Sequence, residues 1–151
     1  MASIGFYHLT RTRLDQALPA LLSKTMKIKQ HALVLCKDDQ HVITLSEALW
    51  DNASLLWLPH GCHTSNRLDD MPLWQPIWLS IYEENVNEAN YVFLVGGQCL
   101  QNIGPHQRIF DLFDGMDAQS IQLARERWSI LKAQNHALSY WKQGDKGWVK
   151  E

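Results

Sequence analysis

Positive charge and long apolar runs are both scarce in this chain of 151 residues. Its 14 basic and 16 acidic side chains give a formal net charge of −2, whereas a protein that grips a nucleic-acid backbone by itself is usually basic. No apolar run approaches the roughly 18 residues that a membrane-spanning helix requires. The sequence therefore disfavours direct, tight DNA binding and insertion into a membrane.

Cysteine is also scarce. The three cysteines, Cys36, Cys62 and Cys99, are odd in number and irregularly spaced, which is typical of reduced thiols and not of a disulfide framework. The first residues run directly into a strand-like segment and lack the layout of a signal peptide. We therefore expect a soluble, intracellular protein.

The phosphate-binding and nucleophile motifs of α/β enzymes are missing. No Gly-x-Gly-x-x-Gly or Gly-x4-Gly-Lys-Ser/Thr follows the first predicted strand, and no Gly-x-Ser-x-Gly elbow is present. Gly96-Gly97 follows a strand, but a lone pair of glycines is typical of a turn. We therefore expect no cofactor, and we keep a nucleotide-binding or hydrolytic α/β enzyme as the weaker alternative.

One short segment has the residue types of a metal site. His60, Cys62 and His63 place three zinc-type donors within four residues. A structural zinc site normally draws a second ligand pair from elsewhere in the chain, and no matching pair is present. We interpret residues 60–75 as a solvated loop and predict no bound metal.

Alternating apolar segments and helical patterns indicate the fold class. Hydrophobic residues make up 46% of the chain, and six short segments have the pattern of strands, most of them continuous apolar runs and the last an alternating one. These predicted strands cover residues 4–9, 32–36, 55–59, 77–81, 91–95 and 108–113, the last of them closing the sheet. Helices are predicted after Thr10 (interrupted only by Pro19), after Asp38, and from Asp117 to about Gln134. We therefore predict one three-layer α/β domain over residues 1–151, with a mostly parallel sheet and a short tail from about residue 136.

The last predicted helix carries the most specific pattern. Its apolar stripe includes Trp128, which is preceded by Arg125 at three residues and followed by Lys132 at four. An aromatic ring flanked by cations suits a carboxylate that is attached to an apolar side chain. The alternative is that Trp128 belongs to the core and that Arg125 is a solvated helix charge.

Several strings resemble the chi subunit family of bacterial DNA polymerase III. Residues 123–128 read Leu-Ala-Arg-Glu-Arg-Trp, which is similar to the family's Leu-Ala-Arg-Glu-Arg-aromatic signature. Residues 6–9 (Phe-Tyr-His-Leu) look like its first strand. Residues 45–50 (Leu-Ser-Glu-Ala-Leu-Trp), followed by residues 57–60 (Trp-Leu-Pro-His), are similar to another of its motifs. The matching strings occur in the family's order over nearly the whole chain.

This resemblance implies a fold, a role and a set of partners. The fold would be Rossmann-like and without nucleotide hydrolysis, and the role that of a non-catalytic adaptor in the clamp-loader complex at replication forks in the bacterial cytoplasm. The partners would be the acidic C-terminal tail of single-stranded DNA-binding protein and, where present, the psi subunit.

Carried over by position, the tail-binding residues would be Trp50, Trp57, Arg125 and Trp128. Ser129 stands where some members of the family have a lysine, and we expect Lys132 to supply that charge. A protein that binds single-stranded DNA directly remains a third hypothesis, which the net charge disfavours.

Overall fold

The computed structural model describes residues 2–50, 58–63 and 75–151. In chain order its elements are β1 (Ser3–Leu9), α1 (Leu14–Lys27), β2 (Ala32–Leu35), α2 (Asp39–Trp50), β3 (Gly61–Cys62), β4 (Ile77–Ser80), β5 (Tyr91–Leu94), β6 (Arg108–Asp114), α3 (Ala118–Ala133), β7 (Ala137–Gly144) and β8 (Gly147–Lys150). Among the described residues, every helix is too short or too polar to cross a lipid bilayer.

The described strands form one mixed sheet in the order β3-β4-β2-β5-β6-β1-β7-β8. All neighbours are parallel except β7 and β8, which form an antiparallel hairpin. Two apolar clusters lie on opposite faces of this sheet. Side chains of α1 and α2 belong to one cluster, and those of α3 belong to the other. The predicted three-layer, Rossmann-like α/β fold is therefore confirmed.

Both faces of the central strands β2 and β5 are covered. All four residues of β2 and all four of β5 are buried, as expected for continuous apolar runs in a parallel sheet with helices on both sides. Their bounds agree with the sequence prediction to within one residue. The strand predicted over residues 55–59 lies mostly outside the described residues, and its described part, Leu58 and Pro59, is not in a strand.

The prediction that residues 108–113 form the last strand is wrong. The segment from about residue 136, predicted as a tail, forms β7 and β8 and extends the sheet beyond β1. Its aromatic residues hold it there, since the rings of Trp141 and Trp148 both pack against Tyr7 at centroid distances of 6.0 and 5.0 Å. Polar residues, glycine and lysine separate these aromatics along the chain, so neither strand contains the apolar run that marks a buried strand.

The predicted helix from Asp117 to Gln134 is confirmed. Asp117 is its N-cap, and the Asp117 carboxylate accepts hydrogen bonds from the backbone N–H of Ser120 (3.3 Å) and from its hydroxyl (2.7 Å). Gln134 is the C-cap. Helix α1 also runs unbroken through Pro19, which is buried within it.

Candidate functional site

A cavity of about 470 Å³ opens between helix α3 and the sheet. It is lined by Phe6, His8, Phe113, Ile121, Ala124, Arg125, Trp128, Ser129 and Tyr140. The sheet register explains how distant strands contribute to it. Phe6 lies opposite Tyr140 on β7, and His8 lies opposite Phe113 on β6, so these four rings share the face that α3 covers.

Trp128 is both part of the core and a wall of this cavity. Its ring is partly buried and meets Phe6 edge-on at 5.3 Å between centroids, and it meets Tyr140 at 6.3 Å. The two sequence interpretations of Trp128 therefore both describe part of its surroundings. One side of the indole packs on the sheet, and the cavity lies beside it.

Arg125 lies at the edge of the same cavity, one helical turn before Trp128. Its side chain is exposed, and no acidic side chain among the described residues forms an ion pair with its guanidinium. A cation in this position is available to a carboxylate from another molecule. The neighbouring aromatic walls would receive an apolar group attached to that carboxylate.

The second arginine of the same string has the opposite role. Arg127 donates to the buried Asp111 on β6 through Nε (2.7 Å) and Nη2 (2.9 Å), and only 11% of the Arg127 side chain and 3% of that of Asp111 are exposed. Burial raises the pKa of the Asp111 carboxyl, while the Arg127 guanidinium acts to lower it. This pair was not predicted from the sequence, although an aspartate inside an apolar strand is a signal for a buried partner.

His8 contributes a neutral polar group to the cavity wall. Its Nδ1 is hydrogen-bonded to the hydroxyl of Tyr140. Burial lowers the pKa of His8, and the positive charges of Lys142 and Arg125 act in the same direction. Phe6, His8 and Tyr140 were not predicted from the sequence to line a site. The i, i+2 spacing of Phe6 and His8 could have placed those two on one face, but not beside α3.

The remaining predicted site residues lie elsewhere. Trp50 is 57% exposed at the end of α2, and its ring lies 4.4 Å from that of His60. Because α2 and α3 cover opposite faces of the sheet, Trp50 does not share the cavity of Arg125 and Trp128. Lys132 is exposed on α3 but does not line the cavity, and Trp57 lies outside the described residues.

The segment predicted as a loop over residues 60–75 contains the short strand β3 at Gly61–Cys62, so that prediction is wrong there, and its described histidines are hydrogen-bonded within the chain. His60 contacts the Ser46 hydroxyl through Nε2 and the Leu58 carbonyl through Nδ1, both at 2.9 Å. His63 pairs with Asp39 at 2.8 Å. No group of three or more His, Cys, Asp or Glu side chains that could hold a metal ion occurs among the residues that the structure describes.

A match to a protein-family model identifies the family to which this chain belongs. The sequence model described as "DNA polymerase III chi subunit, HolC" matches residues 1–139. The chain belongs to the chi subunit family. The match covers most of the chain, including the string at residues 123–128 and the first residues of β7. No curated protein gives a significant sequence match.

Membership in this family gives the chain its general role. It is an accessory subunit of DNA polymerase III, and the family implies association with the clamp-loader complex. The family match by itself names no residue that contacts a partner. The geometry beside α3 is therefore the basis for choosing one.

Two partly buried histidines should make the stability of the protein sensitive to acid. Burial lowers the pKa of both His8 and His41, so the folded state binds fewer protons than an unfolded chain, in which histidine has a pKa of about 6.5. Their contribution is complete above that pH and is lost as the pH falls from it through the lower pKa of the folded state. Urea unfolding at about pH 7.5 and about pH 5.5 should therefore give a lower free energy of unfolding at the acidic pH.

The variant His41→Gln separates this effect from that of the carboxylates. Since a glutamine side chain does not titrate, the loss of stability between the two pH values should be smaller than in the unmodified protein. An equal loss in both proteins would show that His41 does not contribute to the acid sensitivity.

Proposed function

We propose that this chain is a non-catalytic adaptor of the clamp loader that binds the acidic C-terminal tail of single-stranded DNA-binding protein. The observation that carries the proposal is the exposed Arg125, which lacks an ion pair among the described residues and borders an aromatic cavity. The protein would act at replication forks in the bacterial cytoplasm. Where a psi subunit is present, we propose it as a further partner.

The chemistry of the cavity suits the end of such a tail. An apolar terminal side chain would pack among Phe6, Phe113, Trp128 and Tyr140, while the free terminal carboxylate would pair with the guanidinium of Arg125. A contact of this size is weak and exchanges quickly. Several tails on one oligomeric partner would raise the effective concentration and hold the two proteins together.

Ser129 is uncharged, so Lys132 supplies the positive charge nearest to this contact on the C-terminal side of α3. Lys132 lies seven residues after Arg125, which corresponds to about 10 Å along the helix. It would therefore attract the acidic tail at a distance and would not enter the cavity. Because this attraction is electrostatic and solvent-exposed, affinity should fall as the salt concentration rises.

Trp50 and Trp57 are proposed as a separate contact. The family resemblance assigns both residues to partner binding, and Trp50 is a large exposed ring on the face opposite α3. A partner with several tails, or a longer segment of one partner, would engage this second surface. The isolated tail peptide should depend on Arg125 far more than on Trp50.

Fluorescence anisotropy of a labelled tail peptide tests the site. The peptide should copy the C-terminal tail of the organism's own single-stranded DNA-binding protein. Arg125→Ala should weaken its binding by at least about tenfold, since charge-assisted hydrogen bonds contribute about 1.5–3 kcal/mol. Arg125→Lys, which keeps the charge but loses the two-pronged geometry, should weaken it less.

Two control variants define the other outcomes. Lys24→Ala removes an exposed cation from α1, on the opposite face of the sheet, and should leave the affinity unchanged. Trp50→Ala should also leave the affinity for the isolated peptide nearly unchanged. If the unmodified protein fails to bind the peptide, or if Arg125→Ala binds as well as the control, the proposed function is wrong.

A further inference from the structure

A second and larger opening lies at the carboxyl ends of the parallel strands. It has a volume of about 680 Å³, and residues at the ends of four strands line it. They are Thr10–Leu14 after β1, Lys37 and His41 after β2, Gly96 and Gly97 after β5, and Asp114, the last residue of β6, with Met116 after it. Open α/β sheets bind their ligands in the crevice at this position. We refer to it below as the strand-end crevice.

Four cationic side chains, those of Arg11, Arg13, Lys37 and Arg127, line the strand-end crevice together with the carboxylate of Asp114. Arg127 is neutralised by the buried Asp111, whereas Arg11 and Arg13 form solvent-exposed ion pairs with Asp145 (2.6 Å) and Asp15 (3.1 Å). The ammonium group of Lys37 has no ion pair within the described part of the chain. Because solvent-exposed ion pairs are weak, Lys37, Arg11 and Arg13 are available to an anionic ligand.

The side chain of Gln143 occupies the position at the first loop that a nucleotide phosphate would take. The side-chain oxygen of Gln143 accepts hydrogen bonds from the backbone N–H groups of Thr10 (3.0 Å), Arg11 (2.8 Å) and Thr12 (3.1 Å). Nucleotide-binding α/β proteins use the amides of this first loop to hold phosphate. Because these amides are already satisfied, the attraction for anions rests on long, exposed side chains, which suit the dispersed carboxylates of a peptide.

The rim of the crevice is apolar. Met116 is 80% exposed and Leu123 is 44% exposed, and both line the opening. Cations together with exposed apolar side chains are complementary to an acidic segment that also contains apolar residues. A nucleotide has no apolar side chains between its negative charges.

The crevice lies next to the cavity of Arg125. Phe113 lines both openings, and helix α3 separates them. An extended peptide advances about 3.5 Å per residue, so about three residues would cross a helix of about 10 Å diameter. A peptide anchored beside Trp128 would therefore place its preceding residues at the crevice.

We infer that the strand-end crevice binds the acidic segment that precedes the apolar end of the same tail. This inference rests on the proposed function, because it extends the site at Arg125 along the same ligand. Lys37 and Arg13 are the cations best placed to meet the acidic side chains. Both are exposed, and Arg13 shares its guanidinium only with Asp15 among the described residues.

The carboxylate of Asp114 lines the strand-end crevice and directly follows Phe113, which lines both openings. It accepts a hydrogen bond from the backbone N–H of Met116 (2.8 Å), which an asparagine oxygen would also accept. Its negative charge opposes an acidic peptide. The variant Asp114→Asn should therefore bind the acidic tail more tightly, by about twofold or more, because a like-charge contact is removed.

The test measures how tightly two tail peptides bind a double variant that removes two cations of the crevice. One peptide has the natural tail sequence, and the other replaces every acidic side chain by its amide while keeping the terminal residue and its free carboxylate. Arg13→Gln/Lys37→Gln should weaken the acidic peptide by about three- to tenfold, as expected for two exposed ion pairs. The same variant should leave the neutralised peptide unchanged.

A matched control removes two cations from the C-terminal end of α1, the helix whose N-cap is Arg13. Lys24 and Lys27 lie in the last turn of α1, and Lys24→Gln/Lys27→Gln changes the net charge equally. If this control weakens the acidic peptide as much as Arg13→Gln/Lys37→Gln, the effect is one of overall charge and the inference fails.

The remaining outcomes separate this inference from the proposed function. If Arg125→Ala abolishes binding but Arg13→Gln/Lys37→Gln and Asp114→Asn change nothing, the tail binds beside α3 and the crevice plays no part. If the unmodified protein binds neither peptide, the proposed function and this inference both fail.

Discussion

Replacing Arg127 by alanine should lower the free energy of unfolding by about 3–5 kcal/mol. The change removes both hydrogen bonds to Asp111 and leaves an aspartate of which only 3% is exposed without its partner. A carboxylate in that position must either remain charged in an apolar layer or take up a proton. Both responses cost stability, because the unfolded chain solvates the same group in water.

Urea unfolding of three variants checks this result. Arg125→Ala, two residues away on the same helix, is the matched control and should change stability by no more than about 0.5 kcal/mol. The double variant Asp111→Leu/Arg127→Met should recover most of the loss, because an apolar pair of similar volume avoids the buried charge. Equal effects of Arg125→Ala and Arg127→Ala would contradict the assigned roles.

Replacing Phe6 by alanine should cost about 3–5 kcal/mol of stability, the usual range for a buried phenylalanine. Phe6 is 1% exposed in the middle of β1, and its ring supports the edge of Trp128. The truncation would enlarge the cavity beside α3 and remove one of its aromatic walls. Weaker binding of the tail peptide should therefore accompany the loss of stability.

The variant Phe6→Leu separates packing from binding. Leucine retains most of the buried apolar surface, so its cost in stability should be clearly smaller. The aromatic wall is still lost, and any decrease in peptide affinity can then be measured on a folded protein. A Phe6→Ala variant as stable as the unmodified protein would show that the core rearranges to fill the space.

The string at residues 123–128 illustrates how far sequence reasoning reaches. Helical spacing correctly placed Trp128 on the buried stripe and Arg125 at its border. It did not distinguish Arg125 from Arg127, since both arginines are near the stripe. That distinction depends on Asp111 of β6, which forms an ion pair with Arg127 and not with Arg125.

Trp50 and Trp128 illustrate the same limit at a larger scale. Each tryptophan lies on a helix with an apolar stripe, and the pattern does not state which face of the sheet each helix covers. The crossover connections decide this and place α2 and α3 on opposite faces. The two residues consequently belong to different surfaces.

Apolar periodicity and helix caps predicted the fold class, most of the strands and the bounds of α3, because both are local properties of the chain. Strand order, the two C-terminal strands and the aromatic walls contributed by Phe6 and Tyr140 were decided only in the tertiary structure. The pairings of β1 with β6 and β7, which bring Phe6 and Tyr140 together, join residues more than a hundred positions apart. Neither periodicity nor spacing within one segment contains that information, because it resides in the register between strands.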